Sequence, residues 1–312
     1  MNIVASEVGI DVSSQELVTS IDQAKAIRIS NTQEGAEQLA ALLPSGSIVH
    51  VESSGGYERI AVRVLRKAGF QVRIHNPLRA RRLAQGVGPK AKTDPIDAKL
   101  LSERGRLLPV SEPKSAERQD MSDLSRAIDT IKGKIAGLRK RRNMPGLDEA
   151  AKQAYAEAIK ALQAVAKKHE IQFAKRIAKS SYKVAYELAK SVDCVGPVTT
   201  RCCLSELPEN FRTQPPARIS SYAGLAPIDD SSGKRNGPAR IGQGNCRLKK
   251  AMYMPAVTAI AKRAWARDLY ARLRAKGRTH DQAIVAVMRK ILVQIVSVIQ
   301  RGSPWQAEPP RR

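Results

Sequence analysis

The chain has 312 residues, a length that suits two or three domains. Lys and Arg number 54 against 29 Asp and Glu, a formal net charge of +25, which favours a polyanionic partner such as nucleic acid. Only 4% of the residues are aromatic, which argues against base-stacking platforms and favours contacts with the phosphate backbone.

The cysteines, histidines and apolar runs indicate a compartment and exclude two classes of site. The four cysteines form no CxxC pair and the four histidines are scattered, so a zinc site is not expected and free thiols in a reducing compartment are. The N-terminus lacks the pattern of a signal peptide, and no run reaches the roughly 18 uncharged apolar residues of a membrane span. We therefore expect a cytoplasmic protein with no membrane partner.

Residues 1–110 alternate between strand and helix patterns. IVASEVGIDV, ELVTSID and AKAIRIS read as a β-meander, TQEGAEQLAALL as a capped helix and SIVHVE as an apolar strand. GYERIAVRVLRKAG follows as an amphipathic helix, QVRIHN as a strand, then the basic segment NPLRARRLAQGVGPKAK and a last helix that begins in KTDPIDAKLL. This order predicts an RNase H-like α/β domain.

Residues 111–190 are rich in Ala, Lys and Glu and have almost no strand signal. The pattern breaks at NMPG (143–146), and beyond it Tyr155, Ile159, Leu162 and either Val165 or Ala166 share one helical stripe. A helical hairpin or coiled-coil arm is predicted, which serves either for oligomerisation or as a linker with a basic outer face.

Residues 191–312 begin with SVDCVGPVTTRCCLSELPE. It resembles a helix–Gly turn–helix of the hairpin type, which holds a DNA backbone through its amides, and an ordinary turn between two helices is the alternative. The Gly-, Ser- and Pro-rich stretch that follows predicts a basic loop, and a basic helix is expected from about Asn245. DQAIVAVMRKILVQIVSVIQRG is apolar nearly all round, but Arg289 and Lys290 interrupt it, so a buried helix is predicted rather than a membrane span.

Four acidic residues fall where an RNase H-like nuclease carries its metal ligands. Asp11 closes the first strand, Glu52 closes the fourth, and Asp94 and Asp97 begin the last helix, three apart and on one face. Their oxygens suit one or two Mg²⁺ ions, which act on phosphodiesters. Asp94 before Pro95 also fits an N-cap, with Asp97 at the third helical position, so helix capping is the alternative for that pair.

Two blocks of sequence resemble a known family. GID, ESSGGYE and KTDPIDAKLL are similar to the N-terminal acidic domain of the DEDD-motif insertion-sequence transposases, and SYAGLAPIDDSSGKRNGPARIGQGNCRLKKAMYMPA to their C-terminal transposase domain. These bridge-RNA-guided recombinases are related to Piv-type DNA invertases. The resemblance implies a RuvC-like (RNase H-like) domain at 1–110, a helical or coiled-coil region at 111–190 and a mainly helical transposase domain at 191–312.

The resemblance also implies the chemistry. Asp11, Glu52, Asp94 and Asp97 would form the acidic tetrad that holds Mg²⁺, and Ser232 would be the nucleophile, with its neighbour Ser231 as the alternative. A serine hydroxyl that attacks a DNA phosphate conserves the bond energy for religation. Because Ser232 lies far along the chain from the acids, the two domains must meet, within one protomer or between two.

The family further implies partners and localisation: donor and target DNA, a structured guide RNA, a homo-oligomer (dimer or tetramer), and a place at the bacterial nucleoid. Three alternatives stay open, namely a Piv-like site-specific invertase without a guide, a metal-dependent junction-resolving nuclease in which Ser232 is structural, and a non-catalytic nucleic-acid-binding protein. Basic residues near the acids or near Ser232 are candidates for nucleic-acid contacts: Arg79, Arg81, Arg82, Lys90, Lys92, Lys234, Arg235, Arg240, Arg247, Lys249 and Lys250.

Overall fold

A computed structural model describes residues 5–87, 93–110, 113–232, 235–242 and 244–306. Within it the chain divides into two compact units, residues 1–113 and 114–312. Each unit has its own apolar core.

The first unit is built on a five-stranded sheet. Its strands are β1 (Glu7–Val12), β2 (Glu16–Ile21), β3 (Ile27–Ser30), β4 (Ile48–Glu52) and β5 (Gln71–His75). In the sheet they are ordered β3-β2-β1-β4-β5. The pairs β1–β2 and β2–β3 are antiparallel, whereas β1–β4 and β4–β5 are parallel. This is the order of the RNase H-like fold, so the predicted architecture of this domain is confirmed.

Four helices accompany the sheet: α1 (Gln33–Leu42), α2 (Arg59–Lys67), α3 (Pro77–Val87) and α4 (Asp94–Arg104), the last followed by a 3₁₀ turn, Gly105–Leu107. The Thr32 side chain caps α1 by accepting from the Gly35 amide. The predicted order of strands and helices is confirmed, with one additional helix: part of the basic segment after β5, Pro77–Val87, forms α3. Ala80 and Leu83 of α3 pack on Leu101 and Leu108 and so attach it to the α4 region.

The second unit is mainly helical. Its helices are α5 (Ala116–Arg142), α6 (Glu149–Lys179), α7 (Lys183–Ser191), α8 (Pro197–Glu206), α9 (Pro216–Tyr222), α10 (Cys246–Lys262), α11 (Ala264–Ala275) and α12 (His280–Arg301). One hairpin, β6 (Pro227–Ser232) and β7 (Arg235–Ile241), joins α9 to α10.

The long helices α5 and α6 pack against each other, joined by the turn at 143–148. Ile159 and Ala166 are buried on the predicted stripe of α6, whereas Val165 is exposed, which decides between the two candidates for that position. A coiled-coil role for the pair stays a prediction.

The C-terminal end of α8 is closed by side chains from distant parts of the unit. Helix ends leave carbonyl oxygens without intrahelical donors, and burying such groups unpaired is costly. Here five consecutive carbonyls each accept from a side chain: Leu204, Leu207 and Pro208 from Arg118, Ser205 from Lys114, and Glu206 from Tyr222. The Arg118 side chain is fully buried between the rings of Tyr182 and Phe211. The start of α5 is thereby fixed to the end of α8.

The predicted buried helix is α12, which packs against α7, α9, α10 and α11. Among the residues that the structure describes, it is the one helix long and apolar enough to cross a membrane. Of its apolar 18-residue stretch, 61% is buried inside the protein. Ile291, Leu292, Ile295 and Val296 are fully buried, so α12 is a core helix, as predicted.

Candidate active site

Asp11 and Glu52 lie at the carboxyl ends of adjacent parallel strands. Ile10 of β1 pairs with Val51 of β4, and the two acids are the next residues of their strands. Residues opposite each other in neighbouring strands face the same side of a sheet, so both acids lie on one face at one edge. Both side chains are half-buried.

Helix α4 crosses this face of β1 in direct contact with it at Gly9. A Cβ atom on Gly9 would lie 2.0 Å from the Ala98 carbonyl oxygen and 2.4 Å from the Ser102 nitrogen. Ser102 also accepts from the amide of Gln23, beside the start of β1. The helix therefore runs antiparallel to β1, and its first turn, which follows residue 93, is directed toward the strand end that bears Asp11.

The two acids of α4 occupy its first turn. The expectation that Asp94 is the N-cap is wrong by one residue: Thr93 has the extended cap geometry, Asp94 is the first helical residue and Asp97 the fourth. Asp97 is half-buried and Asp94 exposed. An acid in the first turn is favoured by the helix dipole, so helix stabilisation and metal binding are compatible roles.

Asp11 and Glu52 thus lie on adjacent strands on the face that α4 crosses, and a common site for all four acids stays a prediction. Asp11, Glu52 and Asp97 each have an interaction partner in the protein. In the described ranges no three Asp, Glu, His or Cys side chains stand close enough together to hold one metal ion. Carboxylate oxygens are ligands that hard divalent cations prefer, so the residue types are suitable, and binding of Mg²⁺ by these four acids stays a prediction.

Hydrogen bonds to Glu58 hold the conformation of the loop in the motif ESSGGYE. This carboxylate accepts from the amides of Ser54 and Gly56 and from the Ser54 hydroxyl, closing the loop directly after Glu52. Burial acts to raise the pKa of Glu58, but these hydrogen bonds hold it below its usual value. Gly55 and Gly56 have φ of +78° and +119°, which glycine adopts without strain.

A buried hydrogen-bonded chain lies on the same face of the sheet. His50 Nε2 lies 2.5 Å from Glu7 Oε2, and His50 Nδ1 lies 2.8 Å from His75 Nε2. Burial lowers the pKa of His75 to about 4 and also lowers the pKa of His50, so both rings are neutral at pH 7. His75 pairs with Glu52 in the sheet register. The sequence did not predict this Glu7–His50–His75 chain. The only signal for His50 was the alternation of side chains along its strand, which places it two residues before Glu52 and on the same face.

Of the basic residues predicted near the acids, Arg79, Arg81 and Arg82 lie on α3 with exposed side chains, and Arg82 has a partner in the protein. Lys90 and Lys92 lie outside the described residues. Their contacts with nucleic acid stay predictions.

Ser232 does not lie in a loop, as the sequence suggested, but ends strand β6. It pairs with Arg235 and Ser231 with Asn236, while the register is irregular between Ile228 and Asp230. The turn-forming residues that indicated a loop are accommodated in an antiparallel hairpin. Arg235 and Arg240 lie on β7, and Lys234 lies outside the described residues.

The base of this hairpin is close-packed. The Asn245 amide donates to the Tyr222 carbonyl, and a Cβ on Gly244 would lie 2.2 Å from the Gly224 nitrogen. The Asn245 side chain caps α10 by accepting from the amides of Arg247 and Leu248, which confirms the predicted start of that helix.

The remaining predicted basic residues lie on α10. Lys249 is half-buried and Lys250 exposed. Arg247 is ion-paired inside the protein, with Nε 2.9 Å from Glu206 and Nη2 2.6 Å from Asp129. Its contact with nucleic acid stays a prediction.

The predicted helix–Gly turn–helix corresponds to α7, α8 and the turn between them. Cys194 in the turn has a positive φ of 64°, and Gly196 is the N-cap of α8. Binding of a DNA backbone at this turn stays a prediction.

Two family models match the chain. A DEDD transposase model of IS110-type elements matches residues 8–143, and a model of the transposase IS116/IS110/IS902 family matches residues 186–271. The chain belongs to the IS110 family of transposases. The first match contains the four acids and the second contains Ser232. Membership in this family implies an activity that cuts and rejoins DNA.

Relatives of this IS110-family protein include two kinds of protein. It is 27% identical to the pilin gene-inverting protein of Moraxella lacunata, over 88% of this chain and 89% of the relative. It is 34% identical to an uncharacterized 43.6 kDa protein of insertion element IS110 from Streptomyces coelicolor, over 30% of this chain and 24% of the relative. An uncharacterized 42 kDa protein of IS900 from Mycobacterium paratuberculosis is 35% identical over 24% of this chain and 19% of the relative.

Proposed function

We propose that this protein is an insertion-sequence transposase that cuts and rejoins donor and target DNA through Ser232. The observation that carries the proposal is the convergence of Asp11, Glu52 and the first turn of α4 on one sheet edge, in a chain whose second family match contains a serine at the end of a hairpin. A basic chain of net charge +25 supports DNA as the partner.

In the proposed reaction the Ser232 oxygen attacks a DNA phosphorus. A serine–phosphate bond forms, the bond from phosphorus to one deoxyribose oxygen breaks, the serine proton is lost to water, and the released DNA hydroxyl takes up a proton. Attack by a second DNA hydroxyl reverses these changes and restores Ser232. Held by Asp11, Glu52, Asp94 and Asp97, Mg²⁺ would stabilise negative charge on the phosphate.

Each of the three regions of the chain would have its own role, and the protein would act with an RNA partner as well as DNA. Residues 1–110 would carry the tetrad, residues 111–190 would assemble a dimer or tetramer, and residues 191–312 would carry the nucleophile. A structured RNA would select the DNA, and the protein would act in the bacterial cytoplasm at the nucleoid.

A covalent-adduct assay tests the chemistry. The full chain, with the RNA that co-purifies, is incubated with Mg²⁺ and a plasmid carrying its own gene with flanking DNA, and protein-linked DNA is counted after denaturation. We expect an adduct with the wild type and with Ser231→Ala, and none with Ser232→Ala. An adduct with Ser232→Ala would refute the serine mechanism, and DNA cleavage without any adduct would favour a nuclease.

The tetrad is tested with a control on the same helix. We expect Asp94→Asn and Asp97→Asn each to lower strand cleavage by at least tenfold, because each removes a carboxylate from the proposed metal site. Glu103→Gln changes an acid at the other end of α4, paired with Arg104, and should leave cleavage unchanged. Full cleavage by both aspartate variants would leave helix stabilisation as the role of the pair.

A second candidate function is site-specific DNA inversion without a guide RNA. It is favoured by the pilin gene-inverting relative, which matches 88% of this chain, whereas the IS110 and IS900 relatives match 30% and 24%. Sequencing the RNA that co-purifies with the protein separates the two. One discrete structured species supports guided transposition, and its absence supports inversion.

A further inference from the structure

Glu206, at the end of α8, is a buried carboxylate with no part in the proposed chemistry. The residue is 1% exposed. Arg126 of α5 donates two hydrogen bonds to the Glu206 carboxylate, from Nε to Oε1 at 3.0 Å and from Nη2 to Oε2 at 3.1 Å. Arg247 Nε donates to Oε1 at 2.9 Å and Asn245 Nδ2 to Oε2 at 3.0 Å. Such a fully paired charge in the interior is costly to disturb, since removing one partner leaves the others buried and uncompensated.

Two of these donors stand directly beyond the serine hairpin. Strand β7 ends at Ile241, and Asn245 and Arg247 begin α10. The segment before the hairpin also reaches Glu206, because the hydroxyl of Tyr222, the last residue of α9, donates to the Glu206 carbonyl oxygen, while the Tyr222 carbonyl accepts from the backbone amide of Asn245. The segments that precede and follow the hairpin are therefore both bonded to Glu206.

The same network extends to the long helix α5. Asp129 of α5 accepts from Arg247 at 2.6 Å and also from Arg201 of α8. Arg247 thus joins Glu206 to Asp129, and the hairpin base is tied to both α5 and α8. An isolated two-stranded hairpin is only marginally stable in water, so its orientation must be set where it is anchored.

We propose that Glu206 is a positioning residue, which fixes the base of the hairpin and so the place of Ser232 in the reaction. This rests on the proposed function for the role of Ser232. The Glu206 carboxylate accepts hydrogen bonds from Asn245 and Arg247, which follow the hairpin, and from Arg126 on α5. These bonds hold the base of the hairpin in place. With an amide at position 206, two guanidinium groups lose their shared anion, and the hairpin base loosens without loss of the surrounding apolar core.

The test compares Glu206→Gln with a matched control, Glu209→Gln. Glu209 lies three residues on, half-buried, and accepts from Arg118 and Tyr182 rather than from the hairpin base. The full chain and the plasmid described above are used, well below the melting temperature of each variant. For Glu206→Gln we expect the rate of covalent-adduct formation at saturating DNA to fall at least tenfold, with the Kd for DNA within twofold of wild type. Glu209→Gln should keep the wild-type rate.

A double variant, in which the carboxylate and the amide exchange positions, tests whether the adduct rate can be restored. Glu206→Gln combined with Asn245→Asp returns one carboxylate to the hydrogen bond between positions 206 and 245, and aspartate is as good an N-cap for α10 as asparagine. The double variant should recover most of the adduct rate. A tenfold loss that the swap does not recover would overturn the inference, as would a wild-type rate in folded Glu206→Gln.

Hydrogen exchange separates this inference from the proposed function. Amides of residues 222–245 in Glu206→Gln should exchange at least tenfold faster than in the wild type, while those of α12 should not change. If the wild type forms no adduct, the proposed function is wrong, yet faster exchange would still support Glu206 as the anchor of the hairpin. Unchanged exchange at 222–245 would refute that anchoring.

Discussion

The close contact between α4 and Gly9 predicts that a larger side chain at position 9 destabilises the first unit and displaces α4 from the candidate site. In Gly9→Ala the new Cβ would lie 2.0 Å from the Ala98 carbonyl oxygen and 2.8 Å from the Leu101 Cβ. Carbon–oxygen contacts usually measure about 3.3 Å or more, so the helix must withdraw by more than about 1 Å. Because the atoms met belong largely to helix backbone, which cannot rotate away, we expect a cost near about 3 kcal/mol, the upper end for overpacked cores.

A loss of this size is large against the about 5–15 kcal/mol by which domains are stable. For a unit of roughly 100 residues it should lower Tm by at least about 12 °C, measured by circular dichroism on the full chain. The same withdrawal displaces the first turn of α4, so cleavage should fall even at temperatures where the variant is folded.

Gly86→Ala is the matched control, because it makes the same change on α3, where nothing lies within 4 Å of the new Cβ. It should leave Tm unchanged or raise it slightly, as Ala is favoured over Gly in a helix by about 0.5–1 kcal/mol. If Gly9→Ala has the same Tm as Gly86→Ala, then α4 does not pack on β1 at Gly9, and the first turn of α4 is not held near Asp11.

Three further outcomes concern the second unit. Arg118→Met should lower the free energy of unfolding in urea by about 3–5 kcal/mol, because it leaves three buried carbonyls without their donor and Glu209 without its cation; a loss under about 1 kcal/mol would contradict this. Burial acts to raise the pKa of Glu206, but hydrogen bonds from Arg126 and Asn245 outweigh it and lower the pKa from 4.5 to about 2. Since the folded pKa is the lower one, the stabilisation of about 3 kcal/mol is present above pH 4.5 and is lost as the pH falls through 2. Urea titrations of the wild type and Glu206→Gln should therefore differ at pH 6, and the difference should fall to about a quarter of that value at pH 2.5. Gly133→Ala, within α5 and facing open space, should raise stability by about 0.5–1 kcal/mol, and an unchanged or lower value would count against an intact helix there.

Apart from α3, the order of strands and helices in the first unit could be predicted because each has its own periodicity and its own cap or turn. The places of Asp11 and Glu52 followed as well, since both close apolar strands that pair in parallel. The Glu7–His50–His75 chain could not be predicted, because it depends on which residues become opposite one another when β1, β4 and β5 pair.

In the second unit the sequence was least informative where distant segments meet. The hairpin at 227–241 reads as a loop because Gly, Pro and Ser dominate it, and only pairing between its two halves makes it a strand pair. Arg247 reads as a free cation because its partners, Glu206 and Asp129, lie 41 and 118 residues away. Local pattern carries no information about such pairs.

The closing of α8 by Arg118 also sets an order of events during synthesis. Arg118 and the carbonyls it binds are separated by 86 to 90 residues. At roughly 5–20 residues per second, a ribosome needs about 5–20 s to make that interval. The first unit, whose strands all precede residue 113, emerges complete before this delay. Helices α5 and α6 are made during this interval, while the Arg118 guanidinium is still in water. The second unit therefore completes its core only after the end of α8 has left the ribosome.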